Sequence, residues 1–430
     1  TICICSRWTL GTGVSIKARS SVFRYKGLDT DAQTLGRELG IQAILNGRLV
    51  KTGDDISVFL ELVDAATGDR IWGERYSRPA AALVSLQNDI ARDVSQKLRS
   101  RLTGAEEKRI AKSYTENPEA YELYLHGRFF WNKRTPDGFH SAIPLFEKAV
   151  ALDPKYALAY SGLADCYALL AIYEVAKPAE AMPKGKHYAM TALTLDPDLA
   201  EAHASLGQIL NNYDFDFAGA EREYGKAIEL NPNYATAYQW LGEVLTQTSR
   251  FDEAQAANDK ALELDPFSLI INRMKGSTQF YAGRLEPALA QMNRTVAQDP
   301  NFPGVYYDLY MIHQTLGDLP KSAESFAKWR ELNGDVKGAE MARNSFAAGG
   351  WPAFCRHIVE RGRTERAFTH FHVAVALVAL GEKEAAVREF QLAYEARDND
   401  IYWARMDPRL GSVHSDPRFK EIMRQVGFPD

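Results

Sequence analysis

Two histidines spaced two apart, His370 and His372, and two cysteines at the same spacing, Cys3 and Cys5, have the types that metal or redox chemistry would use. Neither pair has the company such chemistry needs. A structural zinc site takes four ligands from paired half-sites, and Cys3-Ile4-Cys5 has no second pair. His370-Phe371-His372 lies in a stretch that reads as helix, where residues two apart point to different faces. No H-E-x-x-H is present, and no G-x-x-x-x-G-K-[ST] loop to cradle phosphates. Gly11-Thr12-Gly13 lacks the third glycine and following helix of a dinucleotide loop, so it reads as a turn. No G-x-S-x-G elbow and no kinase catalytic loop occurs. The expectation is a chain that is not an enzyme, with no catalytic residue, no cofactor and no metal centre.

The composition is that of an ordinary globular chain. With 46% hydrophobic and 25% charged residues the chain is neither disordered nor fibrous. A net charge of −5 offers no basic footprint for nucleic acid, so direct nucleic-acid binding is not expected. The basic run Lys97-Leu98-Arg99-Ser100-Arg101 reads as a solvated helix face. Four cysteines make no disulfide framework, and Cys166 reads as a small buried hydrophobe. The longest apolar run, Val373 to Leu380, is too short for a membrane span. The chain opens at Thr1 without a signal segment, so its start reads as truncated or processed. That favours the cytoplasm, or an extracytoplasmic site if the parent is membrane-anchored.

The elements that must position any functional residue follow from a repeat. Asn117-Pro118, Asp153-Pro154, Asp196-Pro197, Asn231-Pro232, Asp265-Pro266 and Asp299-Pro300 put prolines at intervals of 36, 43, 35, 34 and 34. Proline suits helix starts and not helix interiors, so it is expected to punctuate between units. Small residues recur before each proline: Ala142 and Ala149, Ala220 and Ala227, Gly242 with Ala254 and Ala261. They fall where two antiparallel helices touch, and Phe146, Tyr224, Tyr238, Leu241 and Leu245 fill the gaps between them. The segment Tyr238-Gln239-Trp240-Leu241-Gly242 through Phe251-Asp252-Glu253-Ala254 to Ala261-Leu262-Glu263-Leu264-Asp265-Pro266 closely resembles the tetratricopeptide (TPR) repeat family. The implied fold is mainly α: a TPR α-solenoid of antiparallel helix pairs, preceded by a small α/β domain. Six or seven repeats are expected over roughly 118–400. The array runs over 118–334, with degenerate and final repeat-like helices over 335–400 and a helical cap over 401–430. Lys275 and Thr295 depart from the consensus and suggest looser packing in their repeat, and Ser322 and Trp329 stand where Ala is usual.

Upstream the texture changes. Ile41 to Val50, Ile56 to Val63 and Arg70 to Tyr76 read as strands, joined by Thr52-Gly53-Asp54-Asp55 and Thr67-Gly68-Asp69. Ile56, Val58, Leu60 and Leu62 alternate with polar residues, as on a half-buried strand. Helices are expected over Asp31 to Leu39 and Ala81 to Leu102, the latter with Leu83, Leu86, Ile90, Val94 and Leu98 on one face. This block, 14–103, is similar to the TolB amino-terminal-like domain of bacterial regulators. The likeness rests on Ser20 to Tyr25, Leu35-Gly36-Arg37-Glu38-Leu39-Gly40, Leu45-Asn46-Gly47-Arg48, Leu62 to Gly68, Ile71-Trp72 and Leu86 to Ile90. The family's opening strand and helix are expected to be missing. Residues 1–13 stay unassigned and 104–117 read as a linker.

The TPR resemblance implies that the first helix of each pair lines a concave groove for a protein or peptide. In the Gly242 register the groove positions are Ser161, Asp165, Gln208, Asn211, Gln239, Glu243, Arg273, Tyr307 and Gln314. The implied function is a non-catalytic protein–protein interaction scaffold, a sensory module of a bacterial signalling or transcription regulator. The alternative is the regulatory portion of a Ser/Thr kinase or nucleotide cyclase.

Overall fold

A computed structural model describes residues 2–8, 14–17, 31–79, 115–365 and 368–428, together with Tyr25, Ala82, Leu86, Asp89, Ile90 and Asp93. Alternation of apolar and polar residues builds the first unit. Strands β3 (Ala43–Thr52), β4 (Asp55–Asp64) and β5 (Arg70–Pro79) form an antiparallel meander. Gly53, at φ +62°, supplies the left-handed turn that pairs Thr52 with Asp55. Ile56, Val58, Leu60 and Leu62 are buried with Leu86 beneath them, while Phe59 and Glu61 face outward. Helix α1 (Ala32–Leu39) is capped by Asp31, which accepts the Thr34 N–H at 2.8 Å, and ends on left-handed Gly40.

The segment before residue 14 adds to this unit. Part of the segment left unassigned forms a strand: β1 (Ile2–Trp8) pairs antiparallel with β3 and with β2 (Val14–Ile16). The order is β2-β1-β3-β4-β5, so β1 covers the edge that β3 would otherwise expose. The helix expected over Ala81 to Leu102 lies largely outside the described residues, as do the linker residues up to 114.

Among the described residues, seven helix pairs and one bent helix follow. The pairs are α2 (Pro118–Trp131) with α3 (Pro136–Leu152), α4 (Ala157–Ile172) with α5 (Pro178–Leu195), and α6 (Ala200–Ile209) with α7 (Phe217–Leu230). Then come α8 (Ala235–Gln247) with α9 (Phe251–Leu264), α10 (Leu269–Tyr281) with α11 (Leu285–Gln298), and α12 (Pro303–Thr315) with α13 (Leu319–Leu332). After the bent helix α14 (Val336–Glu365), the last pair is α15 (His370–Ala379) with α16 (Lys383–Ala396).

The prolines stand between the units. Pro118 does open a helix, but Pro154, Pro197, Pro232, Pro266 and Pro300 lie in the turns between pairs. The residue before each proline explains why. Asp153, Asp196, Asn231 and Asp299 accept the N–H two residues on, from Lys155, Asp198, Asn233 and Asn301, at 2.8 to 3.2 Å. Side chain and proline together set the turn, leaving the next helix to start about three residues later.

Packing inside the pairs follows the small residues. Ala142, Ala149, Ala220, Ala227, Ala254 and Ala261 are all buried. The Phe146 ring sits between Gly127 and Gly162, where an added Cβ would approach it to 2.5 and 2.7 Å. The consensus departures pack closely too: Thr295 Oγ1 donates to the Gln291 carbonyl and Ser322 Oγ to that of Tyr310, at 3.0 and 2.9 Å. Decay of the pattern after Gly334 has its cause in Gly349-Gly350. Their non-helical backbone breaks α14 into two helices without the usual turn.

Residues 397–428 do not leave the solenoid as a continuing helix. They form two 3-10 turns (Ile401–Trp403 and Pro408–Leu410) and α17 (Pro417–Gln425). Phe419 packs on Phe390 of the last pair. The segment also reaches well beyond that pair, as a strap across the inside of the superhelix. Asn399 Nδ2 donates to the Ala171 carbonyl at 2.6 Å, and the Tyr402 hydroxyl donates to Asn212. Trp403 stacks on Tyr281 with centroids 4.6 Å apart, and Phe428 on Phe217 at 4.8 Å.

Candidate partner-binding groove

The first helices of successive pairs stand side by side, so a polar residue one repeat away is the natural partner for a buried charge. Asp165 of α4 accepts Arg128 Nη1 of α2 at 2.9 Å and Ser205 Oγ of α6 at 2.6 Å. Arg273 of α10 grips Asp308 of α12 through Nε and Nη2 at 2.7 and 3.1 Å, and Ser277 Oγ adds a third bond to Asp308. Ser161 meets Ser205 at 3.2 Å. The Gln208 side-chain carbonyl accepts the Tyr224 hydroxyl at 2.7 Å.

These contacts change the character of the groove residues. Ser161, Asp165, Gln208, Asn211, Gln239 and Glu243 are buried, and none of them is an open solvated position. Arg273 is taken up by Asp308. Tyr307 and Gln314 face the strap: the Tyr307 hydroxyl donates to Asp400 at 3.4 Å, and Gln314 accepts Arg409 Nη1 at 3.4 Å. Asn211, in the π-helical turn Leu210–Asp214 that extends α6, is fully buried with neither side-chain polar atom bonded.

Burial governs the electrostatics here. It pushes the Glu243 carboxyl up to about 7 against the favourable charge of Arg273. Asp398 and Asp400 are pushed to about 6, chiefly by burial. Glu174 is exposed at its turn, and the protein around it and the charges of Asp400 and Asp398 push its carboxyl upward. The His372 imidazole, buried near Arg330 and Arg409, is pushed down to about 3.

The sign of the pH effect follows for Glu243. A carboxyl raised from 4.5 to about 7 binds its proton more tightly in the folded chain. Its stabilising contribution is complete below about pH 4.5 and is lost as pH rises through 7. Glu243→Gln is therefore expected to be more stable than the native chain at pH 8, by on the order of 2 kcal/mol. The difference should vanish near pH 4.5 in urea titrations at both pH values. Equal stabilities at pH 8 would show that Glu243 is not desolvated.

The sequence did not single out Glu174, Asn399, Asp400, Tyr402, Trp403 or Arg409. The histidine pair divides as its spacing implies: His370 Nδ1 meets Glu389 at 2.8 Å near the surface, while His372 turns inward. Cys3 and Cys5 lie on β1, and their side chains are outside the described residues. Cys166 and Cys355 are buried free thiols. No helix among the described residues is long and apolar enough to cross a membrane.

Fold and groove together define a tetratricopeptide solenoid. Residues 213–271 match the tetratricopeptide repeat family model. The putative adenylate cyclase 3 of Rhizobium meliloti (strain 1021) is 30% identical over 152 residues, 35% of this chain and 26% of that protein. The transcriptional regulator HilA of Salmonella typhimurium is 28% identical over 144 residues, 34% of this chain and 26% of the regulator. The chain thus spans about a quarter of the length of these curated relatives. Among solved structures, a thermophilic TPR protein from Thermus thermophilus is similar at 19% identity and a TM-score of 0.36, over 43% of this chain and 94% of its own.

Proposed function

We propose that this chain is a non-catalytic protein–protein interaction scaffold, the partner-sensing module of a bacterial signalling or transcription regulator. One observation carries the reading: the groove of a repeat solenoid already grips an irregular polypeptide segment, its own residues 397–428. Asn212, Tyr281, Tyr307 and Gln314 supply hydrogen bonds and an aromatic shelf to that segment. Such a surface suits a protein or peptide ligand with aromatic anchors. The similarity to a cyclase and a transcriptional regulator supports the regulatory setting. So does the likeness of residues 14–103 to the TolB amino-terminal-like domain. A second reading, the regulatory portion of a nucleotide cyclase, is favoured by the similarity to the Rhizobium protein; a Ser/Thr kinase is the other catalytic parent of the same kind.

Affinity capture from a bacterial lysate tests this, comparing the native chain with Tyr402→Ala/Trp403→Ala, in which the strap is loosened. The expected result is one protein held by the native chain and enriched by the loosened one. Capture of nothing by either form would overturn the scaffold reading, and a cyclase catalytic domain in the eluate would select the second reading.

A further inference from the structure

Three segments far apart in sequence bring an imidazole and two carboxylates together inside the superhelix. Glu174 comes from the turn between α4 and α5, His372 from the first turn of α15, and Asp400 from the start of the strap. One ligand atom of each lies within 4.8 Å of the others, and His372 Nε2 stands 3.7 Å from Asp400 Oδ2.

The histidine is built for a task that its present contacts leave undone. It is 7% exposed, and Nε2 has no hydrogen-bond partner. Nδ1 bonds Thr369 Oγ1 at 2.7 Å, and the ring is held against Trp329 and Tyr307. Thr369 Oγ1 and His372 Nδ1 share a hydrogen bond in which either can donate, and in the tautomer with the proton on Nδ1 the Nε2 lone pair is free to take a cation beside the two carboxylates. A hydrogen bond that fixes the far nitrogen is the usual support of a metal-binding histidine.

The surrounding charges leave room for a cation. Arg273, Arg330 and Arg409 lie nearby, but each is engaged with its own carboxylate, Asp308, Asp335 and Asp407 respectively. Asp398 accepts the Phe371 N–H at the start of α15. Among the described residues the Glu174 carboxylate makes no hydrogen bond. Glu174 sits at φ +58° in its turn, as Arg134 and Ser249 do in the turns of other pairs, and its side chain reaches the other two ligands.

We propose that Glu174, His372 and Asp400 bind a divalent first-row transition ion, which fastens the strap to the second and last helix pairs. Nitrogen with two carboxylate oxygens suits zinc, manganese, iron or cobalt better than the all-oxygen shells of calcium or magnesium. Metal–ligand lengths of about 2.0–2.2 Å need the three donors to close in by only a fraction of an ångström to about an ångström. The turn that carries Glu174 and the strap that carries Asp400 can supply that movement.

The test is calorimetric titration of ZnCl2 and CoCl2 into the full, tag-free chain after chelator dialysis, with the cobalt absorption spectrum as a second readout. One equivalent is expected to bind, with a visible cobalt band free of thiolate charge transfer and a raised thermal midpoint. His372→Gln and Asp400→Asn should each weaken binding at least about tenfold. His370→Gln and Cys3→Ser/Cys5→Ser should bind as the native chain does. Circular dichroism establishes that each variant folds, and Asp400→Asn carries the test if His372→Gln does not. No stoichiometric binding, loss of binding in the cysteine variant, or native affinity in both ligand variants would overturn the proposal.

Discussion

Asp165→Ala is expected to cost about 3–5 kcal/mol of folding stability, because it strands a positive charge among buried repeats. Asp165 is completely enclosed, and its two oxygens hold Arg128 from one neighbouring repeat and Ser205 from the other. With the carboxylate gone, Arg128 keeps its place over the Trp131 ring, 3.9 Å from the centroid, but loses its counter-charge. The alanine also leaves a void and removes one partner of the Ser205 hydroxyl. Urea denaturation of the single variant should show the loss. Replacing both partners, Arg128→Met with Asp165→Leu, should recover most of it, since two apolar side chains need no compensation. A single-variant loss under about 1 kcal/mol would mean that water reaches the pair and screens it.

Removing residues 398–430 is the second large effect. The strap buries Ile401, Tyr402, Leu410, Val413, Phe419, Ile422, Val426 and Phe428 in one continuous core with Phe215, Trp240 and Val244 of the third and fourth pairs. Each large aromatic lost from such a core costs about 3–5 kcal/mol. The thermal midpoint is expected to fall by about 10 °C or more, since each kcal/mol moves it by roughly 2–4 °C in a chain of a few hundred residues. Much of the helix signal should survive, as only α17 is deleted with the two short turns, while binding of an apolar dye should rise. An unchanged midpoint would show that the strap contributes no net stability.

The repeat was readable because its physics is local. Prolines about 34 residues apart and alanines at fixed distances before them state where two helices touch, whatever the rest of the chain does. The strand pattern from Ile56 to Leu62 was readable for the same reason, and its buried face is the one the alternation indicates. The strap was not readable. Nothing around Asn399 or Tyr402 announces that their partners are Ala171 and Asn212, 228 and 190 residues away. The groove register gave no hint that these positions are buried or taken up, because Asp308, Asp400 and Arg409 come from other repeats and from the tail. Arg128 was within reach: it lies 37 residues before Asp165, one repeat length, where a buried carboxylate would seek its cation. The break at Gly349-Gly350 hid a helix pair by omitting the turn residues that mark the others.

A solenoid whose repeats touch only their neighbours folds as a chain of nearly independent steps, and can fray from either end. Here the hydrogen bond from Asn399 to Ala171 closes a loop spanning more than half the molecule. Forming it requires that the repeats between already be in order, so the closing contact arrives late and slowly. Once made, it ties the last pair back to the second, so that the repeats between them yield together, less like a row of beads than like a clasped ring.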